Sequence, residues 1–204
     1  MMGIGRGVRF VVTLLGLTAF AVVISAAGTF GADPTPQYLW TMETMGEVFT
    51  YTNDNTGAKF KLSSEYVIEG KHSVAVIPSG SAIETKLAIP LEGEKLAAWV
   101  GNDTVVLNVY LPPENKLNPR MFFLGMANVT SGWSWVEGVF SKTEVKPGWN
   151  EVRFTLAEPM QKVDAGGRYI LYFAFAGFDA NNNKVPLTEP FYLDGIRVEK
   201  AVQP

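Results

Sequence analysis

YILYFAFAG, residues Tyr169 to Gly177, is the stretch that decides the fold. Aromatic and aliphatic residues dominate it, and neither proline nor charge interrupts it, which is typical of a β-strand. Because side chains alternate between the two faces of a strand, one face carries Tyr169, Leu171, Phe173 and Phe175 and the other carries Ile170, Tyr172, Ala174 and Ala176. Both faces are largely apolar, so at least one of them must pack against a second layer of structure.

Short runs rich in Val, Ile, Phe and Tyr recur along the rest of the chain, between clusters of Gly, Pro and Asn that are typical of turns. From Tyr38 onward no window shows the 3.6-residue periodicity of a substantial amphipathic helix. The predicted strands are residues 38–43, 48–51, 58–63, 72–77, 82–89, 96–100, 105–111, 120–128, 135–140, 150–156, 168–176 and 191–199. Many short strands without long helices predict an all-β fold, either a sandwich or a barrel.

Two more of the predicted strands, residues 105–111 and 120–128, are apolar on both faces. One face of each must pack between sheets. The other face is either covered by loops or left as an aromatic, partly apolar surface. Because large apolar patches on soluble proteins mark binding sites, the second alternative predicts a binding surface.

The composition of the chain excludes several chemistries. The 204 residues include no cysteine and a single histidine, His72, and the formal net charge is −3. Without cysteine the chain has no disulfide, thiolate nucleophile or thiolate zinc site, and one histidine cannot form a multi-histidine metal centre. The negative net charge argues against a nucleic-acid binder, which normally carries a basic patch.

The first residues are typical of an export signal. Residues 1–9 carry two arginines and no acid, residues 10–24 are uncharged and largely apolar, and Ser25 and Ala27 form a small-x-small cleavage pattern. We expect a signal peptide over residues 1–27, with an uncleaved membrane anchor as the alternative. We expect a proline-containing tether over residues 28–37 and one folded domain over residues 38–200. The product is expected to be a secreted monomer, extracellular or periplasmic, with no membrane contact after cleavage.

Trp133-Ser134-Trp135 places two indole rings on the same side of an extended strand, about 7 Å apart at their Cα atoms. This spacing is comparable to one sugar ring, and the apolar C–H faces of sugars stack on flat aromatic rings. The alternative is that both indoles are buried in the core. Polar neighbours that could read hydroxyl orientation are Arg120, Asn128, Ser131 and Glu137.

The other three tryptophans are predicted to be core residues. Trp40 and Trp99 fall inside predicted strands, and Trp149 follows Pro147-Gly148, where it would plug the core beside a turn. The polar loop over residues 179–183 is interpreted as a flexible tip, with contact to a ligand as the alternative.

Few residues suggest catalysis. The chain has no Gly-x-Ser-x-Gly elbow and no phosphate-binding loop, and His72 at the start of a predicted strand is interpreted as structural. Glycoside hydrolysis needs a pair of carboxylates across a sugar. Scattered candidates are Glu43, Glu137, Asp179 and Glu189. Because they do not cluster on one strand face, we do not expect an enzyme, and a jelly-roll glycoside hydrolase or lyase is kept as an alternative.

Four segments, taken in order, resemble a carbohydrate-binding module of the calcium-stabilised β-jelly-roll type. They are YLWTME (38–43), SEYVIEGKHSVAV (64–76), WSW with VKPGWNEV (133–135 and 145–152) and FYLDGIRV (191–198). The first is similar to the opening strand of such modules and the last to their closing strand. The resemblance spans nearly all of residues 38–200 and is nearest to the mannan-binding modules of family 27. It implies a β-sandwich of the jelly-roll, galactose-binding-domain-like type.

This resemblance implies a structural calcium ion that joins the opening strand, the turn after Gly70-Lys71 and the closing strand. The matching ligands are Glu43, the Lys71 carbonyl and Asp194. Calcium prefers hard oxygen ligands of these types. The alternative for Asp194 is an ordinary salt bridge to Lys71 or Arg197.

The resemblance also implies that Trp133 or Trp135 is the principal sugar platform, with Phe49 or Tyr51 as a second wall. The expected function is secreted, non-catalytic polysaccharide binding. Among β-linked plant polysaccharides, mannan or glucomannan is preferred and β-glucan or xylan remains open. A cell-surface adhesion or structural β-sandwich whose aromatic face meets protein is a further alternative.

Overall fold

The computed structural model of the chain describes residues 37–48, 57–115 and 119–200. The predicted signal peptide over residues 1–27, most of the tether, and the candidate platform residues Phe49 and Tyr51 lie outside these ranges and stay predictions. The described residues form ten strands and three short helices. Their order is α1 (Met45–Val48), β1 (Lys59–Ser63), β2 (Ser73–Ile77), β3 (Thr85–Leu91), α2 (Gly93–Trp99), β4 (Thr104–Leu111), β5 (Pro119–Asn128), β6 (Ser134–Phe140), β7 (Gly148–Thr155), α3 (Glu158–Gln161), β8 (Tyr169–Phe178), β9 (Lys184–Val185) and β10 (Phe191–Glu199).

The strands form two antiparallel sheets. Sheet I has the order β1-β2-β10-β4-β7, and sheet II has the order β3-β8-β5-β6, with the short β9 paired to the end of β8. Strands that are distant in sequence are neighbours in both sheets, since β10 pairs with β2 and β4 in sheet I and β8 pairs with β3 in sheet II. The β-sandwich expected from the strand pattern is confirmed, and the barrel is not formed by these residues.

A hydrophobic core fills the space between the sheets. Leu171, Phe173 and Phe175 of β8, which the opening stretch places on one face, are fully buried there. Rings from the two sheets meet edge to face or tilted: Phe154 lies 5.9 Å from Phe173, and Phe191 lies 4.9 Å from Phe175, between ring centroids. Such contacts add to the free energy gained by removing the rings from water.

Residues 96–100, predicted to be a strand, belong mainly to helix α2. Their alternation of apolar residues is compatible with a strand, but Leu96 and Trp99 are three residues apart and both are buried on one side of the helix. The Trp99 indole N–H donates a hydrogen bond of 2.6 Å to the Met160 carbonyl, which ties α2 to α3. Ala97 and Ala98 favour the helix because alanine has the highest intrinsic helix propensity.

The predicted opening strand over residues 38–43 is reduced to a single bridge between Trp40 and Ile196. Met42 has a left-handed backbone with φ of 61°, which ends the extended run. On the partner strand, Gly195 has φ of 56° within a bulge, and a side chain there would lie 2.7 Å from the Tyr38 ring. Glycine therefore allows the opening segment to cross β10 closely.

No helix among the described residues is both long enough and apolar enough to span a bilayer.

Candidate functional site

The outer face of sheet II carries the two tryptophans singled out by their spacing. On β5, Phe122, Leu124 and Met126 point into the core, so Phe123, Gly125 and Ala127 point outward. Strand pairing then defines three rows across the outer face, from β3 to β6: Pro90-Ile170-Ala127-Trp135, Ala88-Tyr172-Gly125-Gly138 and Lys86-Ala174-Phe123-Phe140. Lys86 is the single charged residue in these rows.

Five aromatic residues on this surface form a contiguous group, here called the aromatic face: Phe123, Trp133, Trp135, Phe140 and Tyr172. Trp133, Trp135 and Phe140 are 54%, 53% and 64% exposed, respectively. The burial of both indoles, which was the alternative from sequence, is therefore wrong. Solvent-exposed rings of this size, grouped on one surface, make the aromatic face the candidate binding site.

The rings of the aromatic face hold each other in place. Tyr172 contacts both indoles, at centroid distances of 5.7 Å from Trp133 and 6.3 Å from Trp135. The Phe123 ring is parallel to Trp135, within 1°, at 6.1 Å, and it lies 5.0 Å from the Phe140 ring. Ordered rings lose little side-chain entropy when a ligand stacks on them.

Three members of this face were missed by sequence reasoning: Phe123, Phe140 and Tyr172. Phe123 lies in a predicted strand that is apolar on both faces, and Tyr172 lies on the second face of its strand, but their proximity to Trp135 depends on the pairing of β6 with β5 and of β5 with β8. Strand register is a tertiary property, and one sequence contains no direct signal for it.

The polar residues proposed as hydroxyl readers lie around these rows. Glu137 is paired with the core-facing Met126 across a bulge, and its carboxylate accepts a 3.0 Å hydrogen bond from the Gly138 N–H. Asn128 ends β5 and accepts a hydrogen bond from Thr130 N–H, while Arg120 is exposed near the start of β5. The structure does not bring these three side chains into the three rows that contain the aromatic residues.

A cavity of about 330 Å³ lies at the β3 side of the same surface. Pro90 belongs both to the row that ends at Trp135 and to the cavity wall. The other lining residues are Trp40, Gly46, Glu92, Glu94 and Lys95. Three charged side chains at this position could form hydrogen bonds with hydroxyl groups of a ligand that crosses the strands from the indoles.

The residues proposed to hold calcium meet around the turn over residues 68–72. One Glu43 carboxylate oxygen, Oε1, accepts hydrogen bonds from the Lys71 and His72 amides at 2.7 and 3.1 Å. Gly70 lies in this turn with φ of 70°, and a side chain there would lie 2.1 Å from Glu43 Oε1. The opening segment therefore packs directly against the turn.

Asp194 holds the same turn from the other side. Its Oδ2 accepts hydrogen bonds from the Ile68 and Glu69 amides at 2.7 and 3.1 Å, whereas its Oδ1 is buried and has no hydrogen-bond partner. Burial and, to a smaller extent, the charge of Glu43 raise the pKa of Asp194 to about 6, against the lowering effect of the amide hydrogen bonds. The salt bridge to Arg197 is not formed, since that guanidinium pairs with Glu151 and Glu199.

The carboxylate oxygens of Glu43 and Asp194 are hard ligands of the type that calcium prefers. The orphaned Oδ1 of Asp194 and the carboxylate of Glu43 are close enough for their charges to interact, and both belong to segments that enclose one turn. The described residues contain no group of three His, Cys, Asp or Glu side chains suited to a metal. A calcium ion here would therefore need backbone carbonyls such as that of Lys71, whose contact in the structure is made by its amide.

Several of the carboxylates weighed for hydrolysis hold backbone in place. Glu43 binds the turn amides and the His72 ring at 3.2 Å, and Asp179 accepts the amides of Asn181 and Asn183 within its own loop. These contacts lower the pKa of Asp179. His72 likewise has a structural partner, as its position at the start of a strand indicated.

A second group of rings, the tyrosine cluster, lies on the outer face of sheet I and consists of Tyr66, Tyr110, Trp149 and Tyr192. Tyr66 stacks on Tyr110 at 3.8 Å, and Trp149 meets Tyr110 edge to face at 5.4 Å. The prediction that Trp149 plugs the core is wrong, because its strand partner is the outward-facing Tyr110. Trp40 and Trp99 are fully buried, as predicted.

Among solved structures, the chain is similar to a carbohydrate-binding module described in work on promiscuous specificity in the β-sandwich superfamily. The TM-score is 0.55 at 17% identity, over 81% of this chain and 62% of that longer chain. CtCBM11, studied in solution, gives a TM-score of 0.50 at 14% identity, over 82% and 96% of the two chains. The fold is that of the β-sandwich carbohydrate-binding modules.

A third similar structure is CBM27-1 of Caldicellulosiruptor saccharolyticus in complex with mannohexaose. It has a TM-score of 0.47 at 16% identity, over 82% of this chain and 99% of that one. No protein-family model and no curated protein sequence matches the chain. The two structures with TM-scores of 0.50 or above confirm the expected β-sandwich fold.

Proposed function

We propose that this chain is a non-catalytic polysaccharide-binding module that stacks sugar rings on the aromatic face of sheet II. The observation that carries the proposal is the exposure of Trp133 and Trp135, whose rings contact Tyr172 instead of entering the core. Sugar C–H faces are apolar and weakly positive, so they gain dispersion energy and shed water on an electron-rich ring.

The surface favours neutral polysaccharides. The rows that contain Trp135, Tyr172 and Phe123 include one charged residue, Lys86, which lies 3.7 Å from Glu84. A polyanionic chain would need several cations for charge-assisted hydrogen bonds. The sequence resemblance to family 27 makes β-mannan and glucomannan the first ligands to test, followed by β-glucan and xylan.

The indole planes favour a single twisted chain over a flat crystalline surface. Trp133 is tilted by 64° and Trp135 by 35° relative to Tyr172. Since these tilts differ by 29°, the two indole planes are at least that far from coplanar. A flat crystal face cannot stack on both rings at once, whereas a soluble chain with a turn between successive sugars can.

The chain is further proposed to hold a structural calcium ion between Glu43, the Lys71 carbonyl and Asp194. The orphaned carboxylate oxygen of Asp194 supports this proposal. Bound calcium would supply positive charge between two carboxylates. The side chains of Glu43 and Asp194 orient the turn over residues 68–72 through its amides, with or without the ion.

Isothermal titration calorimetry with soluble mannan, glucomannan, β-glucan and xylan tests the function. We expect binding to at least one of them and none to crystalline cellulose. Replacing Trp133 or Trp135 with alanine should lower affinity about tenfold each, because a stacked ring contributes about 1–1.5 kcal/mol. Stability should change little, since both side chains are exposed.

Val100→Ala is the matched control, because Val100 is an exposed apolar residue next to α2. It should bind as the wild type does. Wild-type protein that binds none of the glycans would contradict the proposal. Release of reducing sugar that disappears in Glu137→Gln would instead support a glycoside hydrolase.

A further inference from the structure

Two glycines face each other in the middle of the aromatic face. Gly125 on β5 is paired with Gly138 on β6. A glycine inside a strand destabilises it by about 0.5–1 kcal/mol relative to alanine, so a facing pair needs a reason. Neither residue has the left-handed backbone of Gly70 or Gly195. The backbone conformation therefore does not require glycine at either position.

The space above the two glycines is occupied by aromatic rings. A Cβ atom on Gly125 would lie 2.2 Å from the Cη2 atom of Trp135, and one on Gly138 would lie 2.3 Å from the Cζ atom of Phe123. Each Cβ would also be close to the second ring, at 3.0 Å from Phe123 Cε1 and 3.1 Å from Trp135 Cζ2, respectively. Both glycines therefore accommodate the same pair of parallel rings.

A methyl group at either position would displace the rings and leave the strands in place. The clashing atoms are the tips of side chains, which can rotate about two torsion angles, whereas the paired backbone is fixed by ladder hydrogen bonds. Alanine also has no conformational penalty here, since both backbones are ordinary strand. The expected result is a folded protein whose Trp135 and Phe123 rings have moved.

We propose that Gly125 and Gly138 are positioning residues of the sugar platform. Their missing side chains form a recess that fixes the parallel arrangement of Trp135 and Phe123. This inference rests on the proposed polysaccharide-binding function. It adds that affinity depends on two residues that offer no side chain to a ligand.

The test compares Gly125→Ala and Gly138→Ala with wild type by calorimetry on the glycan that binds best. We expect each variant to lose about tenfold in affinity while its Tm stays within a few degrees of wild type. Gly166→Ala is the matched control, because Gly166 has an ordinary backbone and its nearest atom to an added Cβ lies 3.7 Å away. It should bind as wild type does.

A double-mutant cycle separates ring placement from general disturbance. Phe123→Leu shortens the side chain that meets the new methyl group in Gly138→Ala, so the double variant should bind better than the sum of the two single losses predicts. Strictly additive losses, or wild-type affinity in both glycine variants, would overturn the inference.

A ligand-free measurement distinguishes failure of this inference from failure of the proposed function. Acrylamide quenches mainly Trp133 and Trp135, because Trp40 and Trp99 are buried and Trp149 is half-buried against Tyr110. Gly125→Ala should change the quenching of tryptophan fluorescence, whereas Gly166→Ala should not. Unchanged quenching in Gly125→Ala overturns the inference, whether or not the wild type binds a glycan. Wild-type protein that binds no glycan counts against the proposed function alone.

Discussion

Asp194 is a buried carboxylate in a strand that is otherwise largely apolar. One of its oxygens binds two amides and the other has no partner, and the negative charge of Glu43 acts on it. A buried charge without full compensation is costly. A cation between the two carboxylates would turn this unfavourable arrangement into a stabilising one, which gives the calcium proposal a direct thermal test.

In the presence of a chelator, the Tm of Asp194→Asn should equal or exceed that of the wild type, because the substitution removes a buried negative charge. With calcium at about 100 times its dissociation constant, wild type should gain about 2.7 kcal/mol, or roughly 5–10 °C in Tm. The variant should gain little. Differential scanning calorimetry with and without calcium measures both effects.

Asp179→Asn is the control for that experiment, because the Asp179 carboxylate binds amides of its own loop. It should keep the calcium response of wild type. An unchanged wild-type Tm across a calcium series, or an equal gain in Asp194→Asn, would contradict the metal site.

At the level of single residues, local spacing predicted the site only in part. The Trp-Ser-Trp spacing placed Trp133 and Trp135 on one side, and both rings contact Tyr172, although Trp133 lies just before β6. The strand register places Phe123 and Phe140 on the same face as the indoles. The bulge between Met126 and Ala127 places Glu137 outside this group. Bulges and register arise from pairing between strands, so their consequences were not accessible from spacing.

At the level of elements, β7 and β10 are joined on the outer face of sheet I by an ion network. Arg197 is largely buried and donates to Glu151 at 2.7 Å, while Arg153 pairs with Glu151 and Glu199. Desolvation raises the pKa of Glu151, but the hydrogen bonds and charges of Arg197 and Arg153 outweigh it. The net pKa of Glu151 lies below its usual value.

This lowered pKa predicts the sign of a pH effect. A carboxyl whose folded pKa lies below the unfolded value stabilises the protein above the unfolded pKa, and that stability is lost as pH falls through the folded pKa. Glu151→Gln should therefore cost about 0.5–1 kcal/mol at pH 7, a magnitude reduced by the exposure of Glu151. The difference from wild type should shrink below about pH 4.

Urea unfolding of Glu151→Gln at pH 7 and pH 3 measures this difference. Glu158→Gln is the comparison, because the ion pair between Glu158 and Lys162, at the two ends of α3, is highly exposed and should contribute less. A constant difference between Glu151→Gln and wild type at both pH values would show that the carboxylate charge is not responsible.

Strands with one or two apolar faces were predicted well. Segments whose apolar residues fit more than one periodicity were not. Strand β8 follows its predicted alternation into the core. In residues 96–100, however, apolar residues fit both a two-residue and a three-residue spacing, and the burial of Leu96 with Trp99 selects the helix.

At the scale of the whole molecule, the two outer faces differ in how their rings are used. In the tyrosine cluster the rings pack on each other, and the Tyr192 hydroxyl donates to Glu65 at 2.8 Å. Burial and this contact raise the pKa of Tyr192 to about 12. The aromatic face of sheet II instead leaves three large side chains more than half exposed.

We therefore expect one glycan site per molecule, on sheet II. Tyr66→Ala should lower the free energy of unfolding by about 1–2 kcal/mol, because it removes a ring stacked on Tyr110, and should leave affinity unchanged. Trp135→Ala should lower affinity and leave the free energy of unfolding nearly unchanged. Calorimetric stoichiometry on a short oligosaccharide, with urea unfolding of both variants, measures this. A second binding event that Tyr66→Ala abolishes would contradict the assignment.

The position of β10 also constrains the order in which the molecule is assembled. Residues 191–199 lie between β2 and β4, so residues 73–77 have no partner on that side until more than a hundred further residues have been synthesised. Pairing between such distant segments makes folding slow. Sheet I can therefore be completed only after residues 191–199 have been synthesised, and a chain truncated before Phe191 would expose the inner faces of both sheets to aggregation.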